Sequence, residues 1–148
     1  IHTRFIELAG EVNAAMPDYV FRKTLEALSA RGLAMSNARL LVLGIAYKRD
    51  VDDVRESPSV QLMEILRQWG ARVDYSDSNV PVFPVMREHS FDLASVALTP
   101  GTVALYDAVL VLTDHSDVDY DMLRQHARLI IDARGRYSGI SDPKIVSA

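Results

Sequence analysis

Arg39-Leu-Leu-Val-Leu-Gly-Ile-Ala46 runs directly into Tyr47-Lys-Arg-Asp-Val-Asp-Asp-Val-Arg-Glu-Ser-Pro-Ser59. The first stretch is a near-continuous apolar run. A strand with one wet face alternates polar and apolar residues, so an unbroken run marks a strand covered on both faces, as in a parallel sheet. The second stretch is charged and ends at Ser57-Pro58, where a serine hydroxyl can cap orphan N–H groups and proline suits the first helical turn. Leu62, Met63, Ile65, Leu66 and Trp69 then form an apolar stripe, and Gly70 supplies the stop.

The same alternation of elements continues downstream. Arg72 to Ser76 reads as a second strand, and the proline-containing stretch from Val80 to Pro84 as a loop. Met86 to Leu98 fits a short helix or a short strand equally. Thr99-Pro100 opens a short helix, Ala108 to Leu112 is a third apolar strand, Asp119 to His126 is helical, and Arg128 to Asp132 is a fourth strand. Upstream, Phe5, Leu8, Ala9, Val12, Met16, Tyr19, Val20 and Leu28 recur largely three or four apart, the stripe of an amphipathic helix. Pro17 predicts a kink there or a second helix, and Gly32 a C-terminal stop. The expected fold is α/β: a Rossmann-like parallel sheet flanked by helices and joined by right-handed crossovers over residues 37–148, preceded by a helical segment over 1–36.

The composition narrows the function classes. A chain of 148 residues with 49% hydrophobic residues supports one core. A net charge of −4 gives no general attraction to nucleic acid or anionic lipid, so the expected partners are small molecules and other protein chains. No apolar run approaches a membrane span and no signal peptide opens the chain, which makes a cytoplasmic protein the expectation. Cysteine is absent, excluding disulfides, thiolate metal sites and a cysteine nucleophile from these residues. The chain begins with Ile1 inside a helical pattern, as a piece of a longer protein would.

In an open parallel sheet, ligands bind beyond the carboxyl ends of the strands. The polar residues gather at those ends: Tyr47 and Lys48 after the first strand, Asp77 after the second, Thr113, Asp114 and His115 after the third, Arg134 after the fourth. Lys48 and Arg55 beside a helix start would suit a diphosphate. The same stretch also reads as a solvated loop with internal ion pairs, and the residues alone leave both readings open. Asp50, Asp52 and Asp53 invite a calcium loop, but the required glycine and the closing acidic residue are missing. His115 beside Asp114 fits a hydrogen-bonded structural histidine better than an acid–base pair, because no nucleophile accompanies it. Gly44 stands alone, so the G-x-G-x-x-G turn that holds a dinucleotide is not here.

From Gly44 to Ser59 the sequence resembles the hallmark segment of the UDP-glucose/GDP-mannose dehydrogenase family. Val73 to Asp77, Ala108 to His115 and Leu129 to Gly135 are similar to later segments of that family's C-terminal domain, in order, and Glu7 to Val20 to the end of its central helical region. Ser78 departs from the proline usual after that aspartate. The resemblance implies an enzyme part. The family oxidises the C6 alcohol of a nucleotide sugar to a carboxylate by two hydride transfers to NAD, with its catalytic cysteine and NAD-binding domain upstream. No catalytic residue or metal ligand is therefore expected in these residues. Tyr47, Lys48 and Arg134 would bind the UDP-sugar, and Arg55 would face the NAD phosphates. Residues 1–36 would end the dimerisation region of a homodimer or larger homo-oligomer, with 37–148 the UDP-sugar-binding domain. Val51 to Val54 and Thr113 to His115 look most like bacterial UDP-N-acetylhexosamine dehydrogenases, which make uronic acids for surface polysaccharides; UDP-glucose stays open as a substrate. The competing expectations are a free-standing nucleotide-binding or regulatory module, and an interaction domain built on the first helix.

Overall fold

A computed structural model describes residues 2–55, 57–86 and 90–148, with side chains of the first helix from Met16 onward. Strands β1 (Arg39–Leu43), β2 (Arg72–Ser76), β3 (Ala108–Val111), β4 (Ile130–Asp132) and β5 (Ile145–Ser147) form one parallel sheet in the order β2-β1-β3-β4-β5. Helices α1 (His2–Ala30), α2 (Pro58–Gln68), α3 (Pro100–Val103) and α4 (Tyr120–His126) accompany it. The α/β parallel architecture read from the sequence is the one found.

The central strands divide their side chains between two cores, as the two-residue strand period requires. Leu40 and Val42 of β1, with Ala108 and Leu110 of β3, pack with Val20 and Leu28 of α1 and Leu62, Met63 and Leu66 of α2. Leu41 and Leu43, with Val109 and Val111, face Val103, Tyr106, Tyr120 and Leu123 on the other side. All eight strand residues are buried, which explains the apolar run seen in the sequence.

Elsewhere the structure departs from expectation in instructive ways. Pro17 neither ends nor divides α1, which continues through it. The predicted stripe over Phe5, Leu8, Ala9 and Val12 lies outside the described side chains. Residues 90–98 form neither helix nor regular strand; within the ambiguous stretch from Met86 to Leu98 only Ala94 pairs, in an isolated antiparallel bridge with Val82, and residues 87–89 lie outside the described set. Phe91 packs edge-on against Phe83, with ring centroids 5.1 Å apart, and backbone bonds from Phe83 to Leu93, Ser95 to Pro81 and Val96 to Tyr75 hold the segment without a regular ladder. Strand β5 was not anticipated. Ser57 occupies the N-cap of α2, yet its hydroxyl makes no capping bond and is buried without a partner. Thr99 does form the cap predicted for α3: its Oγ1 accepts from Thr102 N–H, and its own N–H donates to Thr102 Oγ1.

The strand order reverses direction between β1 and β3, and at such a switch point the connections diverge and leave a crevice beyond the strand ends. Gly44 lets the two ends meet there. Its φ is +86°, and a Cβ built on it would lie 2.2 Å from the Thr113 carbonyl oxygen. Gly44→Ala therefore combines a left-handed backbone with a collision against main chain, and should lower stability by about 2–4 kcal/mol. Urea unfolding measures this; a loss below about 0.5 kcal/mol would show that the seam is looser than described.

Candidate functional site

Beyond Leu43 the chain leaves the sheet while still buried, and its N–H groups need acceptors. Asp77, at the end of β2 and 2% exposed, provides one. Its Oδ2 accepts from Ile45 N–H at 2.9 Å and Ala46 N–H at 3.0 Å, and its Oδ1 accepts from Asn79 N–H at 2.9 Å. The Nε2 of His115 lies 2.9 Å from the same Oδ2. The other imidazole nitrogen, Nδ1, accepts from Asp50 N–H at 2.8 Å. A backbone N–H can only donate, so Nδ1 carries no proton in this arrangement, and Nε2 donates to Asp77.

The charged loop from Tyr47 to Arg55 is thereby fastened to the end of β3. Thr113 Oγ1 donates to the Ala46 carbonyl at 2.8 Å. Arg49 donates to Asp114 at 2.7 Å, and that carboxylate raises the guanidinium above its usual range, chiefly through the hydrogen bond. Asp50 takes the left-handed φ of +62° and accepts from both the N–H and the hydroxyl of Ser116, at 2.9 and 2.6 Å. Within the loop, Tyr47 N–H donates to the Asp53 carbonyl at 2.6 Å. Within the loop, among the described residues, only Asp53 and Arg55 form an ion pair, whereas Arg49 and Asp50 are held across the strand ends by Asp114 and Ser116.

The four residues singled out from the sequence all lie on the carboxyl rim. Tyr47 is 45% exposed, and Lys48 is exposed with no hydrogen bond or ion pair among the described residues. Arg134 approaches from β4. Its N–H donates to Asp132, which also accepts from the N–H groups of Arg136 and Tyr137. Arg134 Nε donates to the Leu112 carbonyl at 2.6 Å, one residue before the threonine that holds Ala46. Arg134 and the chain just before Tyr47-Lys48 are therefore both tied to the end of β3, at Leu112 and Thr113, beside the seam between β1 and β3. Arg55 stands apart from them. Its guanidinium grips Asp53 through Nε at 3.1 Å and Nη2 at 3.0 Å, and this pairing lowers the Asp53 carboxyl below its usual range. It lines a groove of about 510 Å³ with Asp52, Asn79 and the loop from Val80 to Pro84, a groove that includes neither Lys48 nor Arg134.

A second cavity on this rim, of about 330 Å³, opens between the ends of β2 and β3 over Asp77, Ser95, His115 and Met122. Its buried polar groups, Asp77 and His115, are already engaged with each other and with the backbone. Sequence reasoning placed both on the rim and favoured a hydrogen-bonded structural histidine, as found, but did not find its partners, Asp77 and the charged loop. The one local signal was a carboxylate and an imidazole at the ends of β2 and β3, the two strands that flank β1.

The family model of the UDP-glucose/GDP-mannose dehydrogenase family, UDP binding domain, matches residues 41–139. UDP-N-acetyl-D-mannosamine dehydrogenase of Escherichia coli (strain K12) is 28% identical over 142 residues, covering 89% of this chain and 32% of that protein. NDP-N-acetyl-D-galactosaminuronic acid dehydrogenase of Ralstonia nicotianae is 30% identical, covering 91% and 30% respectively. Among solved structures, UDP-D-ManNAc dehydrogenase of Pyrococcus horikoshii superposes with a TM-score of 0.69 at 26% identity, covering 96% of this chain and 32% of that one. The chain thus spans about a third of the relatives it matches.

The Asp50 clamp yields a test independent of any ligand. The hydrogen bonds from the Ser116 hydroxyl and then its N–H lower the Asp50 carboxyl below the ordinary aspartate range. A depressed carboxyl contributes stability above its unfolded value and loses it as pH falls through the folded one. NMR titration should show Asp50 ionising below normal, and Ser116→Ala should move its midpoint upward. An unchanged midpoint in that variant would mean that the clamp is not made in solution.

Proposed function

The chain belongs to the UDP-glucose/GDP-mannose dehydrogenase family, and we propose that it forms the nucleotide-sugar half of the active site of an NAD-dependent UDP-sugar 6-dehydrogenase. The observation that carries this reading is that Arg134, through its Nε, and the Tyr47-Lys48 loop, through Ala46, are both bonded to the end of β3 beside the switch point of the sheet. Lys48 offers an ammonium to the diphosphate. Arg134, with Nε committed to the Leu112 carbonyl, keeps its terminal nitrogens for the sugar nucleotide, a fork that lysine cannot reproduce. The half-exposed ring of Tyr47 gives an apolar surface to the same ligand. The names of relatives such as UDP-N-acetyl-D-mannosamine dehydrogenase favour a UDP-N-acetylhexosamine as substrate, and the proposal has it oxidised at C6 to a uronic acid for polysaccharide synthesis.

In this reading the rest of the enzyme supplies the nucleophile and most of the NAD site, and NAD, when bound, accepts the hydride. An NAD phosphate would be met by Arg55, a guanidinium near the start of α2 that pairs with Asp53 here. The task of this chain is to bind and orient: Lys48 and Arg134 hold the nucleotide sugar, Arg55 meets the cofactor from its separate groove, and the two ligands approach from different flanks of the rim. Helix α1 is the end of the central dimerisation region, in a cytoplasmic homodimer or larger homo-oligomer. Among the described residues no helix is long and apolar enough to cross a membrane.

Steady-state kinetics of the complete dehydrogenase test the assignment. Losing a charged hydrogen-bond partner costs about 1.5–3 kcal/mol, so Lys48→Ala and Arg134→Ala should each raise KM for the UDP-sugar roughly ten- to a hundredfold, with KM for NAD nearly unchanged. Arg55→Ala should do the reverse. Equal effects of the first two on both ligands would place these residues on the wrong side of the cleft.

A further inference from the structure

We propose that His115 is a positioning residue for the nucleotide-sugar site, holding the Tyr47-Lys48 loop in its binding conformation through its unprotonated Nδ1; this rests on the reading that Lys48 contacts the substrate. Four consecutive residues at the end of β3 each hold one point of the loop. Thr113 takes the Ala46 carbonyl, Asp114 the Arg49 guanidinium, His115 the Asp50 N–H and Ser116 the Asp50 carboxylate. Tyr47 and Lys48 lie between the first two of these fixed points, and their exposed side chains make no bond to that strand end. Their placement is therefore set by the anchors around them.

Among these anchors His115 alone joins the loop to Asp77. Its ring is 1% exposed and joins the loop to Asp77, the same carboxylate that fixes the backbone of Ile45 and Ala46. One imidazole thus connects both flanks of the Tyr47-Lys48 pair. The groups facing it are Asp77 at 2.9 Å, Asn79 Nδ2 at 3.4 Å and, beyond the N–H bond, Asp50 Oδ1 at 3.8 Å. The bond to Asp50 N–H also fixes a residue whose φ of +62° is unusual for a side chain other than glycine, a conformation that persists where the surroundings impose it. A histidine with only a packing role would need Asp77 but not the loop.

The two functions of the ring can be separated in the complete dehydrogenase. The amide of asparagine reaches the position of Nδ1 and can accept from Asp50 N–H, whereas the longer glutamine reaches the position of Nε2 and can bond Asp77 without holding the loop. His115→Gln should raise KM for the UDP-sugar about tenfold with kcat and KM for NAD nearly unchanged, while His115→Asn should stay within about threefold of the parent. Both will unfold more readily, so a KM that follows stability rather than the Gln–Asn difference overturns the proposal. A normal KM in His115→Gln while Lys48→Ala is impaired overturns it and leaves the site assignment standing; a normal KM in Lys48→Ala removes both. Long-range ¹H–¹⁵N correlation spectra of the unaltered protein decide the matter even where the variants fail to fold: Nδ1 should lack a proton, and a proton found there contradicts the proposal.

Discussion

Where β1 ends, the N–H groups of Ile45 and Ala46 are still buried, and a buried donor without a partner costs about 1–3 kcal/mol. The Asp77 carboxylate answers both and takes the His115 imidazole as well. A carboxylate in the interior is itself costly unless hydrogen bonds surround it, and here Asn79 N–H completes the set. The consequence is geometric. The end of β2 fixes how the chain leaves β1, the end of β3 fixes where it goes next, and the loop that carries Tyr47 and Lys48 is held between them. Gly44 makes this junction sterically feasible, because no side chain fits where its hydrogen meets the Thr113 carbonyl.

The fold was legible where burial acts on both faces of a strand. Leu40 to Leu43 and Val109 to Val111 have to be apolar at every position, because each face of the sheet is covered, and no other common element produces that run. Legibility failed at the edges. Ile145-Val-Ser147 is a short outer strand whose register comes from pairing with β4, and nothing in those three residues distinguishes it from a loop. Residues 90–98 lack a period because their place is set by distant partners, Phe91 against Phe83 and Val96 N–H on the Tyr75 carbonyl. Ser57 shows the limit of local rules: residue type and position suit a cap, but its hydroxyl is turned into a buried place without a partner.

The site was legible in position and not in wiring. Strand ends are visible in sequence, so Tyr47, Lys48, Asp77, His115 and Arg134 fall on one rim by counting alone. The pairings of Arg49 with Asp114 and of Asp50 with His115 and Ser116 span 65 or 66 residues, and only the folded chain brings them together. Lys48, Arg55 and Arg134 do not share one cavity: Arg55 lines a groove that includes neither of the others, and Arg134 is tied to the end of β3. The family match shows a UDP binding domain, and the proposal places the nucleotide sugar at the end of β3 and the cofactor by Arg55.

Amide chemical-shift mapping of the 148-residue chain on titration with UDP tests the seat of the nucleotide most directly. The account requires the largest changes at residues 44–50, at Leu112 to Ser116 and at Arg134, with the opposite rim around Arg39 and Arg72 undisturbed. Changes centred instead on the cavity over Ser95 and Met122, or on the opposite rim, would mean that the seam between β1 and β3 is not where this domain holds its ligand.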